Sequence, residues 1–97
     1  MVLESSHNVC NGRVLKMPYI WKAKEIANKN NLRMHLDGAR CLNASVALKV
    51  KPDELVKDFN TISLCLSKGL GNPIGSMLIG SHEDITYANM IRKMLGG

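Results

Sequence analysis

The chain lacks an apolar run long enough to cross a bilayer, and its amino terminus lacks the basic and apolar stretches of a secretory signal. Apolar residues make up 45% and charged residues 22% of its 97 positions, which are the proportions of a soluble globular protein. This length allows at most one ordinary domain with a small core. We therefore expect a cytoplasmic protein.

Cysteine and aromatic residues are both scarce. The three cysteines include no C-x-x-C pair, so neither a disulfide framework nor a zinc site is expected. Aromatic residues make up only 4% of the chain, and the basic residues behind its net charge of +5 are interleaved with acids. The sequence thus lacks the stacking platform and the basic block of nucleic-acid-binding proteins. It also contains no G-x-G-x-x-G or P-loop motif, so a nucleotide site is not predicted.

What is present is an alternation of strand-like and helix-like segments. Apolar spacing and turn residues predict a strand and loop over 1–12, a helix from Pro18 to about Asn30, a strand over 32–36, helices over 39–49 and from about Lys51, strands over 62–67 and 76–79, and a helix over 85–95 begun by a cap at Ser81. This order predicts an α/β fold, with a mainly parallel sheet and flanking helices.

The connections decide the strand directions. A helix-sized segment separates strands 32–36 and 62–67, so these two should be parallel. Residues 69–73 are too few for such a crossover, so the strand that follows should be antiparallel or displaced. A sheet of three or four strands with open edges is expected to be part of a larger enzyme domain.

Asp37 and Lys68 each stand where an apolar strand-like run stops and a glycine-containing turn begins. Ligands of open parallel sheets bind outside the carboxyl ends of the strands. There a carboxylate can hold the protonated nitrogen of a heterocycle, and a lysine can form a Schiff base with a carbonyl. The pair therefore suggests pyridoxal phosphate.

Simpler interpretations stay open for each residue. Lys68 precedes Gly69 and is also typical of an exposed loop, and Asp37 before a glycine is typical of a turn or a helix N-cap. His7 is compatible with a structural role, as is Arg40 if it pairs with an acid.

Four segments occur in an order that resembles one family. They read ESSHN at 4–8, HLDGAR at 35–40, CLSKGLGNPIGS at 65–76 and RKMLGG at 92–97. Together they resemble the low-specificity L-threonine aldolases, which are pyridoxal-phosphate enzymes with an aspartate-aminotransferase-like fold. The resemblance extends over essentially the whole chain. Asn72 and the loop NVCNG at 8–12 depart from the family pattern.

The resemblance implies roles for four residues. Lys68 would be the catalytic lysine that holds the cofactor covalently, and Asp37 would pair with its pyridine nitrogen. Arg40 would lie near the cofactor and bind the substrate carboxylate. His7 would face the substrate hydroxyl and act in binding and catalysis. The resemblance also places Arg92 and Lys93 near the cofactor phosphate.

The same resemblance implies a function and a domain assignment. The enzyme would be a lyase that cleaves threonine or allo-threonine to glycine and acetaldehyde, and members of the family are dimers or tetramers. Residues 1–97 would form the central part of the cofactor-binding large domain, without its phosphate-loop region and without the small domain. The alternative is a catalytically inactive product that acts as an interaction partner or is a vestige. Another lyase or racemase of the same fold is a third possibility.

Overall fold

The computed structural model describes every residue of the chain, from Met1 to Gly97. Four strands and four helices follow each other in the order β1 (Val2–Glu4), α1 (Met17–Lys29), β2 (His35–Asp37), α2 (Cys41–Leu48), α3 (Pro52–Val56), β3 (Thr61–Cys65), β4 (Ser76–Gly80) and α4 (His82–Met94). None of these helices has the length and apolar character needed to span a membrane.

The strands form one sheet in the order β1-β2-β3-β4. The first three strands are parallel, because α1 connects β1 to β2 and the pair α2 and α3 connects β2 to β3. Strand β4 pairs antiparallel with β3, because the short connection between them leaves no room for a crossover. The predicted α/β class and the predicted strand directions are therefore confirmed.

The core lies on one face of this sheet, beneath the first three helices. Leu36 and Ile62 are registered neighbours on β2 and β3, and both are buried. Ile20 and Ala27 of α1 are fully buried against this cluster. Helices α2 and α3 complete it with Cys41, Ala44 and Leu55. These three helices thus cover one face of the sheet, and only α4 lies on the opposite face.

The opposite sheet face is polar towards one end and only partly covered. It carries the residues that alternate with Leu36 and Ile62, namely His35, Asp37, Thr61 and Ser63. Tyr87 and Ala88 of α4 line a groove of about 340 Å³ together with His35 and Thr61. Apolar side chains remain exposed beside it, including Val2, Leu78 and Tyr87. This open face agrees with the expectation of an incompletely covered sheet.

Several predicted boundaries were wrong by a few residues. The strand predicted from residue 32 begins at His35, because Leu32 still donates its N–H to Ala27 of the preceding helix. The helix predicted from residue 39 begins at Cys41, because the turn closed by Cys41 N–H and Gly38 C=O precedes it. Strand β3 ends at Cys65, two residues earlier than predicted, and α4 begins at His82, three residues earlier than predicted.

The start of α4 is fixed by a cap and by an ion pair with the segment that precedes β2. Ser81 Oγ accepts a hydrogen bond from the Asp84 N–H, as the sequence predicted. The Asp84 carboxylate pairs with the Arg33 guanidinium at 2.6 Å. Hydrogen bonds from Arg33 and from Ser81 lower the pKa of Asp84 from 3.8 to about 2.

This pair predicts an acid-sensitive step in stability. A carboxyl group whose pKa is lower in the folded chain stabilises it above the ordinary pKa, and this contribution is lost as the pH falls towards about 2. Asp84→Asn should therefore reduce the change in melting temperature between about pH 5 and pH 2, measured by circular dichroism. Asp53→Asn, at the start of α3 and away from Arg33, is the control. If the melting temperature of Asp84→Asn changed between about pH 5 and pH 2 as much as that of the unaltered chain, Asp84 would not be the group responsible.

Candidate active site

The carboxyl ends of the three parallel strands form one edge of the sheet. Glu4 is registered with Asp37, and Asp37 is registered with Ser63, so these residues form a row across β1, β2 and β3. The Gly38 N–H donates to the Ser63 carbonyl at 2.8 Å and extends the pairing beyond β2. Ser5 N–H likewise donates to the Asp37 carbonyl at 3.3 Å. This edge is where ligands of parallel sheets bind.

Asp37 is the last residue of β2 and is half-buried. Its Oδ1 accepts the Ala39 N–H at 3.2 Å, so it closes the local turn that its sequence position suggested. No basic side chain pairs with this carboxylate. Its second oxygen has no protein partner, and Asp37 is thus both a turn residue and an available anion.

Lys68 follows β3 by three residues and is exposed. Its ammonium lies 3.0 Å from Cys65 Sγ and has no carboxylate partner. The surrounding loop is fixed by its backbone, because Leu66 N–H donates to Gly75 C=O at 2.9 Å and Gly71 N–H donates to Lys68 C=O at 3.0 Å. The amine therefore projects from an ordered turn.

Arg40 is the N-cap residue of α2 and is half-buried. The simpler interpretation, that Arg40 pairs with an acid, is wrong in this structure, because its guanidinium makes no ion pair. The planar guanidinium suits a carboxylate or phosphate, which it can bind through two parallel hydrogen bonds.

His7 lies beyond the end of β1, where it forms an isolated bridge with Arg13. Its Nε2 is 3.1 Å from Glu4 Oε2, and its Nδ1 accepts the Cys10 N–H at 3.2 Å. Glu4 is not among the site residues predicted from the sequence. The available signal is the spacing of three residues between Glu4 and His7 at a strand end, within the segment ESSHN.

The predicted residues follow the carboxyl ends of β1, β2 and β3, and no hydrogen bond or ion pair joins their side chains. Asp37, Arg40 and Lys68 each lack an ionic partner, whereas Arg33 and Asp84 pair with each other. One carboxylate and two cations without partners, at the edge where parallel sheets bind ligands, fit a ligand that carries a protonated nitrogen, a carbonyl and an anionic group. Arg92 shares a groove with Ser76, the residue of β4 that pairs with Cys65, so it lies towards the same end of the sheet.

The concave surfaces of the chain lie elsewhere. The largest groove, about 640 Å³, is lined by Arg33 and residues of α4. None of the five grooves is lined by His7, Asp37, Arg40 or Lys68. The candidate site is therefore an open sheet edge.

Comparisons with known proteins identify the family of the chain. A family model described as beta-eliminating lyase matches residues 1–97. The chain is 48% identical to probable low-specificity L-threonine aldolase 2 of Arabidopsis thaliana over 98% of its own length and 27% of that protein. It is 43% identical to low specificity L-threonine aldolase of Escherichia coli K12 over 98% of its own length and 28% of that protein.

A solved structure shows the same fold. It is described as a putative L-allo-threonine aldolase from Listeria monocytogenes and superposes with a TM-score of 0.94 at 22% sequence identity. The match covers 99% of this chain and 27% of that one. The chain therefore spans about a quarter of the length of the proteins it matches.

Gly38 provides a test of how the edge is built. A Cβ at this position would lie 2.9 Å from the Ser63 carbonyl oxygen, which is backbone and cannot easily move. Gly38→Ala should therefore push β2 and β3 apart and destabilise the fold by about 1–3 kcal/mol, as overpacking does. Denaturant unfolding would measure this loss. Gly69→Ala is the matched control, since its Cβ would meet only the flexible side chain of Asn43. Equal free energies of unfolding for Gly38→Ala and Gly69→Ala would show that the fold does not require the close approach of Gly38 to β3.

Proposed function

The chain belongs to the beta-eliminating lyase family, and from this membership and the unpaired charges at its sheet edge we propose that it forms part of a pyridoxal-phosphate-dependent threonine aldolase site. The reaction would cleave threonine or allo-threonine to glycine and acetaldehyde. The names of relatives at 43–48% identity support this choice of substrate. Residues 1–97 would be the central part of the cofactor-binding domain.

The observation that carries the proposal is that Asp37 and Lys68, at the same edge of the sheet, both lack an ionic partner. Asp37 is half-buried and uses one oxygen for the Ala39 N–H, which leaves the other for a pyridine N–H. Lys68 is exposed on an ordered turn, where its amine can meet a carbonyl. Arg40 has the free guanidinium that a substrate carboxylate requires. These residues fit the cofactor.

Pyridoxal phosphate, when bound, supplies an electron-accepting ring for the electron pair released as the Cα–Cβ bond breaks. The residues of this chain provide the surrounding alignment and charge. The Asp37 carboxylate keeps a proton on the ring nitrogen, because an anion beside a protonated nitrogen favours the charged form. Arg40 orients the substrate by its carboxylate, and His7 binds the hydroxyl group that must lose its proton.

A second candidate function rests on the uncovered sheet face. Val2, Leu78 and Tyr87 are 68%, 45% and 62% exposed beside strands that have open edges. Exposed apolar surface of this kind is typical of protein–protein contacts. A chain that binds no cofactor and acts as an interaction partner of a related subunit would use this face. Such a contact would also fit the dimers or tetramers expected for the family.

The first test is covalent trapping on Lys68. After incubation with pyridoxal phosphate and reduction with borohydride, mass spectrometry should find the adduct mainly on Lys68. The adduct should be lost in Lys68→Ala and kept in Lys57→Ala, which removes another exposed lysine. An adduct spread over the surface lysines, or none in a folded chain, would overturn the proposal and favour the interaction partner.

The second test concerns Asp37. Asp37→Asn removes the negative charge and keeps the shape, so the loss should be that of a charged hydrogen bond, about 1.5–3 kcal/mol or roughly tenfold to a hundredfold in cofactor affinity. Titration of the visible absorbance with pyridoxal phosphate would measure it. Asp58→Asn, at a half-buried acid away from this edge, is the control. Equal affinities of Asp37→Asn and the unaltered chain would exclude the ring-nitrogen role.

A further inference from the structure

Both ring nitrogens of His7 have hydrogen-bond partners. Nδ1 is 3.2 Å from the backbone nitrogen of Cys10, and Nε2 is 3.1 Å from Glu4 Oε2. A backbone N–H can only donate, so Nδ1 must carry a lone pair and the proton of the neutral imidazole must be on Nε2. That proton is donated to the Glu4 carboxylate. The contacts therefore select one tautomer of His7.

The two partners of His7 differ in their exposure, since Glu4 is half-buried and Cys10 is exposed. Glu4 is the last residue of β1 and is registered with Asp37, so the parallel sheet positions it. Its Oε1 also lies 3.4 Å from the Asn8 backbone nitrogen. Cys10 belongs to the exposed turn 8–12. Of the two contacts, the one at Nδ1 is the more easily replaced by a ligand.

We propose that Glu4 is a positioning residue for His7, which holds the imidazole as the Nε2–H tautomer and makes Nδ1 the nitrogen that accepts a proton. This inference rests on the proposed function, in which the substrate hydroxyl must be deprotonated. The hydroxyl would replace the Cys10 N–H at Nδ1. The O–H bond then breaks, an N–H bond forms at Nδ1, and the oxygen keeps the electron pair that becomes the aldehyde C=O as the Cα–Cβ bond breaks.

The charge on Glu4 gives this step its electrostatic support. Proton transfer converts His7 into an imidazolium whose Nε2–H faces a carboxylate at 3.1 Å. In the imidazolium this contact would join a charged donor to a charged acceptor, and such hydrogen bonds are stronger than neutral ones. In catalytic triads a carboxylate also orients the general base through one ring nitrogen, but there the carboxylate holds Nδ1–H and Nε2 is the base, so the two nitrogens are interchanged relative to His7. Glu4 would thus act through His7 without touching the substrate.

The test uses nitrogen NMR of the histidine rings in the 97-residue chain, without cofactor. His7 should show one protonated and one bare ring nitrogen with well-separated signals. His82 is exposed and has no side-chain hydrogen bond, and it serves as the internal reference for a ring that exchanges between tautomers. Signals of His7 that are averaged like those of His82 would overturn the proposal.

Three variants separate positioning from a general effect on the fold. Glu4→Gln keeps an oxygen that can accept from Nε2–H, so the separated signals should persist. Glu4→Ala removes the acceptor, so the separation should be lost while the helical circular dichroism is kept. Glu25 pairs only with lysines of α1, so Glu25→Gln should change neither the His7 signals nor the helical circular dichroism. A His7 spectrum unchanged by Glu4→Ala would show that Glu4 does not position the ring.

The NMR experiment on His7 and the trapping experiment on Lys68 can succeed or fail independently of each other. If trapping on Lys68 fails while His7 keeps a tautomer that depends on Glu4, the positioning contact stands and the proposed function fails. If trapping succeeds while Glu4→Ala leaves the His7 signals unchanged, the proposed function stands and the role of Glu4 fails.

Discussion

The parallel register of β1, β2 and β3 is the constraint on which the candidate site depends. It places Glu4, Asp37 and Ser63 in one row, so residues far apart in sequence reach a common edge. The Gly38 N–H bond to the Ser63 carbonyl holds the β2 turn against β3 at a distance that a side chain on Gly38 would prevent. If β2 were shifted by one residue relative to its neighbouring strands, Asp37 would face the helices and Leu36 would face the open side of the sheet. Burial of Leu36 and position of the carboxylate are therefore set by the same register.

Much of this arrangement could be predicted, because it follows from local patterns. Asp37 and Lys68 stand at the points where apolar runs meet glycine turns, and the length of the intervening segment predicts the parallel crossover. The boundaries were less accurate, since Leu32 looks like a strand residue and still bonds to the end of α1. The sequence alone did not predict which side chains pair with each other. Whether Arg40 finds an acid depends on which acids the fold brings near it.

The two faces of the sheet differ in how well they are covered. On β3 the large residues Ile62 and Leu64 face the first three helices, while Ser63 and Cys65 alternate with them and face the other side. Only 14 of 97 residues are buried, so the core is small and rests almost entirely on the helix-covered face. The charges at the carboxyl edge add nothing to that core. Asp37, Arg40 and Lys68 form no ion pair within the chain, and the proposed function assigns each of them to a ligand.

The row of Glu4, Asp37 and Ser63 contains two carboxylates, and these have different hydrogen-bond partners. Glu4 and Asp37 lie on adjacent strands, where like charges opposite one another are unfavourable unless each is stabilised locally. Asp37 receives the Ala39 N–H and keeps one oxygen free, whereas Glu4 faces the imidazole of His7. Since one acid is directed to a ring proton and the other is left available, they suit different tasks. Under the proposed function, Asp37 would hold a cationic ligand, and Glu4 would select the tautomer of the neighbouring imidazole.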